Sequence, residues 1–396
     1  MAKNKNLFLM ILILAFALTL RLLFFTGIDS SDSIGYVKAA SDIAKGMQPE
    51  EGAGVGALRL GIVYPVSVLY SLFGVNEISS NILVLLISLC FIVLLYKLGK
   101  LVFSQRAGLL AAFLMGFFPF DVVNSTRLNT DITSAFFAAL CVYLFLKSEK
   151  SENTIKSKII YLFSGLSLGI AYLIKETSLL MGLFFAAYAI YNKKIKISYI
   201  FIVLGFALMF SIEILYFLKL TGDQFYRYSY INSDYAARIV IENKMQGRSD
   251  FPAGLFHYFY MVFSDKLLGL FYIFIFIAIM YCLINRKKEA YPMLFWFIPI
   301  LLYLNFGSLS LTKYILVPTS IRFLSLITAP GLLLLSFFLT QNETLIKRVL
   351  KPGIMILLLA TSTGYVYISR DRFFLDEEKE SYQYLSLHPG RQVYTD

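Results

Sequence analysis

The chain has 396 residues, of which 58% are hydrophobic and only 15% are charged. Its mean hydropathy is +0.70. An ordinary soluble domain carries about 25% charged residues, so this composition requires lipid as the solvent. A soluble enzyme, a disordered scaffold and a disulfide framework are therefore excluded. The three cysteines lie inside apolar runs, which is typical of small hydrophobic residues rather than of disulfides or metal ligands.

Apolar runs recur along the chain, and most are long enough to cross a bilayer. The run at 60–74 is short and polar at its start, so we expect a re-entrant or interfacial segment there and about eleven transmembrane helices in an all-α membrane domain over 1–368. Residues 369–396 would form a short external tail. The predicted runs are 7–25, 60–74, 80–97, 107–124, 132–147, 159–174, 177–191, 197–218, 263–284, 291–306, 318–340 and 350–368.

The net charge of +11 is best explained by topology. Lys and Arg collect in alternate short loops, which marks the cytoplasmic face. An odd number of spans then leaves the N-terminus inside and the C-terminus outside, in a plasma membrane. The external loops carry clustered charges of both signs, so any chemistry is expected on the outer face. Nucleic acid is not an expected partner.

The first external loop predicts a short amphipathic helix over 32–45, with Asp32 in its first turn and Tyr36 one turn later. Gly46 is suited to end that helix. The helix dipole favours an ionised carboxylate at position 32. The alternative is that Asp32 is only a helix cap.

Other charges stand at the outer ends of apolar runs. Arg59 is placed either to bind a ligand or to extend into the headgroups, and Arg127 with Asp131 forms either a site or a local pair. A site with one ionised Asp and several cations would suit a phosphate-linked donor and a hydroxyl acceptor. Sugar transfer from a polyprenyl phosphate fits, because a phosphate leaving group needs cations rather than a general acid. The charges concerned are Asp32, Arg59, Arg127, Asp131, Lys175, Glu176 and Arg322.

The order of these features resembles the integral-membrane glycosyltransferases of the GT-C class, close to protein O-mannosyltransferases and aminoarabinose transferases. The individual motifs are loose, but their order over about residues 15–340 is specific. The matching segments are Asp32 to Tyr36 with Gly46, Arg59 through Pro65 to Gly74, the basic turn 96–112, Pro119, Ser125 to Arg127 with Thr130 and Asp131, Leu173 to Thr177, and Ile321 to Leu324.

The resemblance implies a GT-C fold with an external active site. It implies that Asp32, with Asp29 as the second choice, deprotonates the acceptor hydroxyl, which attacks with inversion. It assigns the donor phosphate and sugar to Tyr36, Arg59, Tyr64, Arg127, Lys175, Glu176 and Arg322, with Asp131 orienting one of the cations. The loop 219–262 would cover the sugar or the acceptor.

Two departures from the family pattern matter. Ser33 stands where the family usually has Glu after the first-loop Asp, which leaves Asp29 as an alternative base. The segment from Arg59 to Pro65 has no acidic neighbour, so no cofactor is required by the pattern, although a divalent metal stays open. A lipid-linked-sugar transporter and a surface-polysaccharide polymerase or ligase are the alternative functions. The sequence leaves the acceptor open among protein, glycan and lipid.

Overall fold

The computed structural model describes residues 2–28, 31–48, 51–151, 154–231, 236–309, 313–341 and 345–368. These residues are predominantly helical, and no β-strand occurs among them. A lone antiparallel bridge joins Ser308 and Leu316. The predictions for Asp29 and for the tail 369–396 fall outside the described residues.

The helices follow one another with short connections. In the described ranges they are α1 (Ala2–Leu23), α2 (Ser31–Ala44), α3 (Leu60–Phe73), α4 (Glu77–Val102), α5 (Gln105–Phe117), α6 (Pro119–Asn124), α7 (Asp131–Glu149), α8 (Thr154–Ile174), α9 (Met181–Asn192), α10 (Ile200–Thr221), α11 (Tyr226–Tyr230), α12 (Ala236–Met245), α13 (His257–Ser264), α14 (Phe271–Ile284), α15 (Tyr291–Phe306), α16 (Ser325–Thr340) and α17 (Leu345–Ile368). Short 3-10 turns at 51–58, 176–180, 197–199, 253–256, 288–290 and 321–324 link several of them.

By length and composition, eight helices of the described chain are suited to cross a membrane. They confirm a multi-pass membrane protein, whereas the predicted number of about eleven spans stays a prediction. The shorter apolar helices Leu60–Phe73 and Phe271–Ile284 stand apart from this set. The eight are Lys5–Leu23, Glu77–Val102, Asp131–Glu149, Thr154–Ile174, Ile197–Thr221, Lys288–Phe306, Ile321–Thr340 and Lys351–Ile368.

The run predicted as one span at 107–124 is broken in the structure. Helix α5 ends at Phe117, Phe118 is extended with φ −60° and ψ 117°, and Pro119 opens α6. A residue before proline disfavours the helical conformation, and proline suits the first position of a helix. The break turns α6 away from α5 and leads into the polar loop 125–130.

The predicted amphipathic helix is confirmed as α2. Its buried face consists of Tyr36, Ala39 and Ala40, which pack against Ile62 and Val63 of α3. The contact anchors α2 along one side. Asp32, at the start of the helix, stays on the exposed side.

Helix α16 lies in the centre of the bundle, with every residue from Ser325 to Phe337 buried. Small residues let other helices approach closely, as where α8 crosses α10. A Cβ atom on Gly165 would overlap the backbone carbonyl of Ile202, and one on Gly205 would overlap that of Leu162. This tight crossing holds the middle of α8 against α10, and Lys175 follows the end of α8.

Candidate active site

Four separate elements bring charged side chains together. Asp32 lies in the first turn of α2, Asp131 begins α7, Lys175 follows α8, and Arg322 lies in the 3-10 turn before α16. Arg322 donates from Nε to Asp131 Oδ2 at 2.6 Å, and its Nη1 donates to Asp32 Oδ2. Lys175 Nζ donates to the other oxygen of Asp131. The result is a chain of alternating charges that links residues far apart in the sequence.

Exposure differs sharply along this chain of charges. The side chain of Asp131 is 0% exposed, and both of its oxygens are held by cations. The side chain of Asp32 is 49% exposed and that of Arg322 is 26% exposed. A buried carboxylate between two cations is strongly held, while a half-exposed ion pair is weak. Asp32 is therefore the loosely held end.

Arg322 also sets the ionisation of Asp32. Partial burial acts to raise the pKa of the Asp32 carboxyl, but the attraction and hydrogen bond of Arg322 outweigh it and hold the pKa below its usual value. Asp32 is consequently ionised at neutral pH. An ionised carboxylate at the open edge of the site can accept a proton from a hydroxyl.

Arg59 forms a second group of contacts beside the first. It is buried, and it donates from Nη1 to Tyr36 Oη and, at 3.2 Å, to Thr130 Oγ1. Its Nη2 reaches Glu176 Oε1 at 3.3 Å. Because Arg59 is buried and contacts these partners, it does not extend into the lipid headgroups, which was the alternative prediction. Thr130, rather than Asp131, occupies the N-cap position of α7.

Sequence reasoning missed the residues that continue this group. Glu176 Oε2 accepts from Arg227 Nη2 at 2.9 Å, and Arg227 Nη1 donates to Glu213 Oε2 at 2.6 Å. The guanidinium of Arg227 lies 4.8 Å from the ring centre of Tyr172. The available signal was Glu213 itself, a carboxylate inside the apolar run 197–218, where ionisable residues are costly and usually paired.

Glu176 is shared between two guanidinium groups. Burial would raise the pKa of its carboxyl, but Arg59 and Arg227 lower it to about 2. Arg227 belongs to α11 in the segment 219–262, which the sequence predicts to be external, so Glu176 connects that segment to the site. The loop predicted to cover the ligand is thereby fixed to Arg59.

Sequence reasoning also missed a buried ion pair that lies close to the loops of the site. Arg21 of α1 pairs with Asp121 of α6, and Ser88 of α4 bonds to both, at 2.9 and 3.0 Å. Gly27 N donates to the carbonyl of Thr126 at 3.0 Å just beyond. These contacts hold the chain after α1 beside the loop 125–130.

Not every predicted site residue joins these contacts. Tyr64 is partly exposed on α3, and its ring lies edge-on to Tyr216 of α10 at 5.7 Å. Arg127 is half-buried in the loop between α6 and α7. The roles assigned to Tyr64, Arg127 and Asp29 remain predictions, as do those of the other predicted site residues.

The described residues contain no group of three or more His, Cys, Asp or Glu side chains arranged for a metal ion. His257, the imidazole of the external loop, lies with its Nδ1 atom 3.5 Å from Thr319 Oγ1. Metal dependence stays a prediction in either direction.

Part of the chain matches a known protein family. Residues 60–217 match the family of dolichyl-phosphate-mannose-protein mannosyltransferases. No curated protein sequence matches the chain.

Solved structures match over nearly the whole chain. One is the archaeal oligosaccharyltransferase AglB from Archaeoglobus fulgidus, in complex with an inhibitory peptide and a dolichol-phosphate, with a TM-score of 0.61 and 13% identity over 100% of this chain and 61% of that one. Another is ArnT from Cupriavidus metallidurans bound to undecaprenyl phosphate, with a TM-score of 0.62 and 14% identity over 88% of this chain and 63% of that one. The chain thus spans less than two thirds of the length of either protein.

These matches confirm the resemblance. The chain has the fold of the GT-C glycosyltransferases, a class that uses polyprenyl-phosphate-linked donors.

Proposed function

We propose that this protein transfers a sugar from a polyprenyl-phosphate donor to an acceptor hydroxyl at the outer face of the membrane. The observation that carries the proposal is the meeting of Asp32, Asp131, Lys175 and Arg322 from four elements at one place. Two of these side chains are partly open to solvent and two are held behind them. Buried, paired charges beside an accessible carboxylate are suited to bind a lipid-linked phosphate and to accept a proton from a hydroxyl group.

Asp32 is the proposed base, with Asp29 as the alternative. In the reaction, the acceptor hydroxyl gives its proton to the carboxylate while its oxygen attacks the anomeric carbon. The bond from that carbon to the phosphate oxygen breaks, and its electron pair leaves with the phosphate. Attack from the side opposite the phosphate inverts the anomeric configuration.

Cations provide the remaining stabilisation. The leaving phosphate gains negative charge in the transition state, which fixed cations stabilise without a proton donor. Arg322 pairs with Asp32, and the charge of Arg59 also acts on Asp32. Both are assigned to the phosphate, because guanidinium groups bind phosphate oxygens well. Lys175 neutralises Asp131 and keeps Arg322 oriented. Dolichol-phosphate and undecaprenyl phosphate bound to the two similar folds support a donor of this kind.

Sugar transfer tests the proposal directly. Membranes containing wild type, Asp32→Asn or Asp29→Asn at equal expression would be supplied with radiolabelled polyprenyl-phosphate sugar. Glu242→Gln, which removes an exposed external carboxylate, is the matched control. We expect Asp32→Asn to lose at least about 100-fold in rate, the range of general-base catalysis, with the control unchanged. Full activity in both Asp32→Asn and Asp29→Asn would refute the assignment of the base.

We also propose that the N-terminus is cytoplasmic and that the C-terminus and active site face outward. Native cysteines offer little background for labelling, because Cys141 and Cys282 are buried and Cys90 lies in the apolar α4. In intact cells, a membrane-impermeant maleimide should label Asp223→Cys but not Lys287→Cys. The reverse pattern would overturn the orientation.

A further inference from the structure

Arg322 is paired with Asp32, the carboxylate that acts as the base in the proposed reaction. Its Nη1 donates to Asp32 Oδ2, while its Nε stays on Asp131 Oδ2 at 2.6 Å. A carboxylate held by a guanidinium is a poor proton acceptor, because protonation would cost the ion pair. Before catalysis, therefore, something must draw Arg322 away from Asp32.

The two pairings of Arg322 are unequal in strength. Asp131 is 0% exposed and also bound to Lys175, whereas Asp32 is 49% exposed. Losing the Asp131 contact would leave a buried carboxylate oxygen without its cation, while Asp32 can be hydrated when it is released. An incoming anion competes more easily for the Asp32 side of the guanidinium.

We propose that Arg322 is shared between the base and the donor: the donor phosphate takes the Nη1 end of Arg322 from Asp32, while Nε remains on Asp131. Donor binding thus frees the base at the moment when it is needed. This inference rests on the proposed function and adds a second role to Arg322, which then contacts the base and the leaving group in turn.

The cycle closes without further components. The acceptor proton passes to Asp32 as the new glycosidic bond forms, and the electrons of the broken bond stay on the phosphate. When the lipid phosphate departs, Arg322 returns to Asp32 and the proton is released to water. The same pairing that restrains the base in the free protein resets it after each turnover.

Several charged groups surround Asp32 and bear on its titration. Arg322 and Arg59 favour its ionised form, and Asp131 opposes it. Tyr36 lies on the same helix, and the charge of Asp32 acts to raise the pKa of its hydroxyl. Donor binding changes this balance by adding a negative charge and removing one arm of Arg322, so the pKa of Asp32 should rise and protons should be taken up.

Proton uptake on binding is the test. The probe is citronellyl methyl phosphate, a phosphodiester with one fixed negative charge, titrated into the full chain in detergent at about pH 4 to 6. Calorimetry in buffers with different ionisation enthalpies then gives the number of protons bound. We expect uptake by wild type and by the control Glu242→Gln, and little or none by Asp32→Asn.

Each other outcome has a definite meaning. Equal uptake by Asp32→Asn and wild type, or binding to wild type without uptake, would overturn the sharing of Arg322 and leave the sugar-transfer test untouched. Failure of wild type to bind the probe would count against the donor site itself. If Asp32→Asn does not fold, Arg322→Gln replaces it. Its Asp32 is already released, so only the charge of the probe still raises the pKa of Asp32, and uptake at saturating probe should be smaller than in wild type.

Kinetics give an independent check. The acid limb of kcat/KM for the donor reports the free protein, and that of kcat reports the donor-bound protein. In wild type the kcat limb should lie at higher pH than the kcat/KM limb. In Arg322→Gln the separation should shrink to the part caused by the charge of the donor, and a separation as large as that of wild type would refute the sharing.

Discussion

Replacing Asp131 by Asn should be far more damaging to the fold than replacing Asp32 by Asn, although both carboxylates pair with Arg322. Asp131 is 0% exposed and neutralises both Lys175 and Arg322. Its loss leaves two cations close together, with the ammonium of Lys175 almost fully buried. Breaking a buried ion pair typically costs about 3–5 kcal/mol.

The cost at Asp32 is much smaller, because its side chain is half-exposed and can be hydrated. Exposed pairs contribute about 0–1 kcal/mol. We therefore expect Asp131→Asn to lower the free energy of unfolding by at least about 3 kcal/mol, and Asp32→Asn by about 1 kcal/mol or less. The gap between the two variants is the quantity to measure.

Denaturant titration of each variant in detergent micelles, without donor, measures both free energies of unfolding. Adding Lys175→Met to Asp131→Asn should recover part of the loss, because it removes one of the two orphaned charges. Values for Asp131→Asn and Asp32→Asn within about 1 kcal/mol of each other would refute the view that Asp131 is the buried anchor of the site.

Three further outcomes are expected. The folded-state pKa of Glu176, lowered to about 2, means that its stabilisation is present above about pH 5 and lost as the pH falls; Glu176→Gln should flatten this acid dependence in unfolding titrations. Arg227→Gln should speed amide exchange in α11, measured by mass spectrometry, while Arg238→Gln at an exposed position should not. Gly165→Ala should destabilise the fold by about 1–3 kcal/mol through overpacking, whereas Gly182→Ala, with nothing within 4 Å, should be neutral or slightly stabilising in the same unfolding assay.

The sequence predicts best what depends on local pattern. Helix α2 follows from apolar spacing and a terminal glycine, and the structure places it within one residue of the predicted bounds at each end. The break at Pro119 shows where pattern fails, because apolarity continues from α5 into α6 while the backbone turns. Hydropathy measures lipid compatibility and is insensitive to a change of helix direction.

For the site, the sequence indicates single charged residues but not which of them pair. Asp32, Lys175 and Arg322 were recognisable as charges at outer helix ends, yet their pairing needs the tertiary arrangement. Arg227 and Glu213 were overlooked because one lies in a tyrosine-rich loop and the other inside an apolar run. Glu213 could have been recognised, because a carboxylate within a membrane span usually has a buried partner.

The two groups of contacts share one design. In each, a carboxylate takes one cation on each oxygen: Asp131 holds Lys175 and Arg322, and Glu176 holds Arg59 and Arg227. A carboxylate with both oxygens occupied fixes its partners in direction as well as distance. Arg322 and Arg59 are the members of the two sets that also reach α2, through Asp32 and Tyr36 respectively. Helix α2 is thus held by the two cations that we propose to bind the donor phosphate. In the proposed mechanism, the position of the base and the binding of the donor therefore depend on the same two side chains.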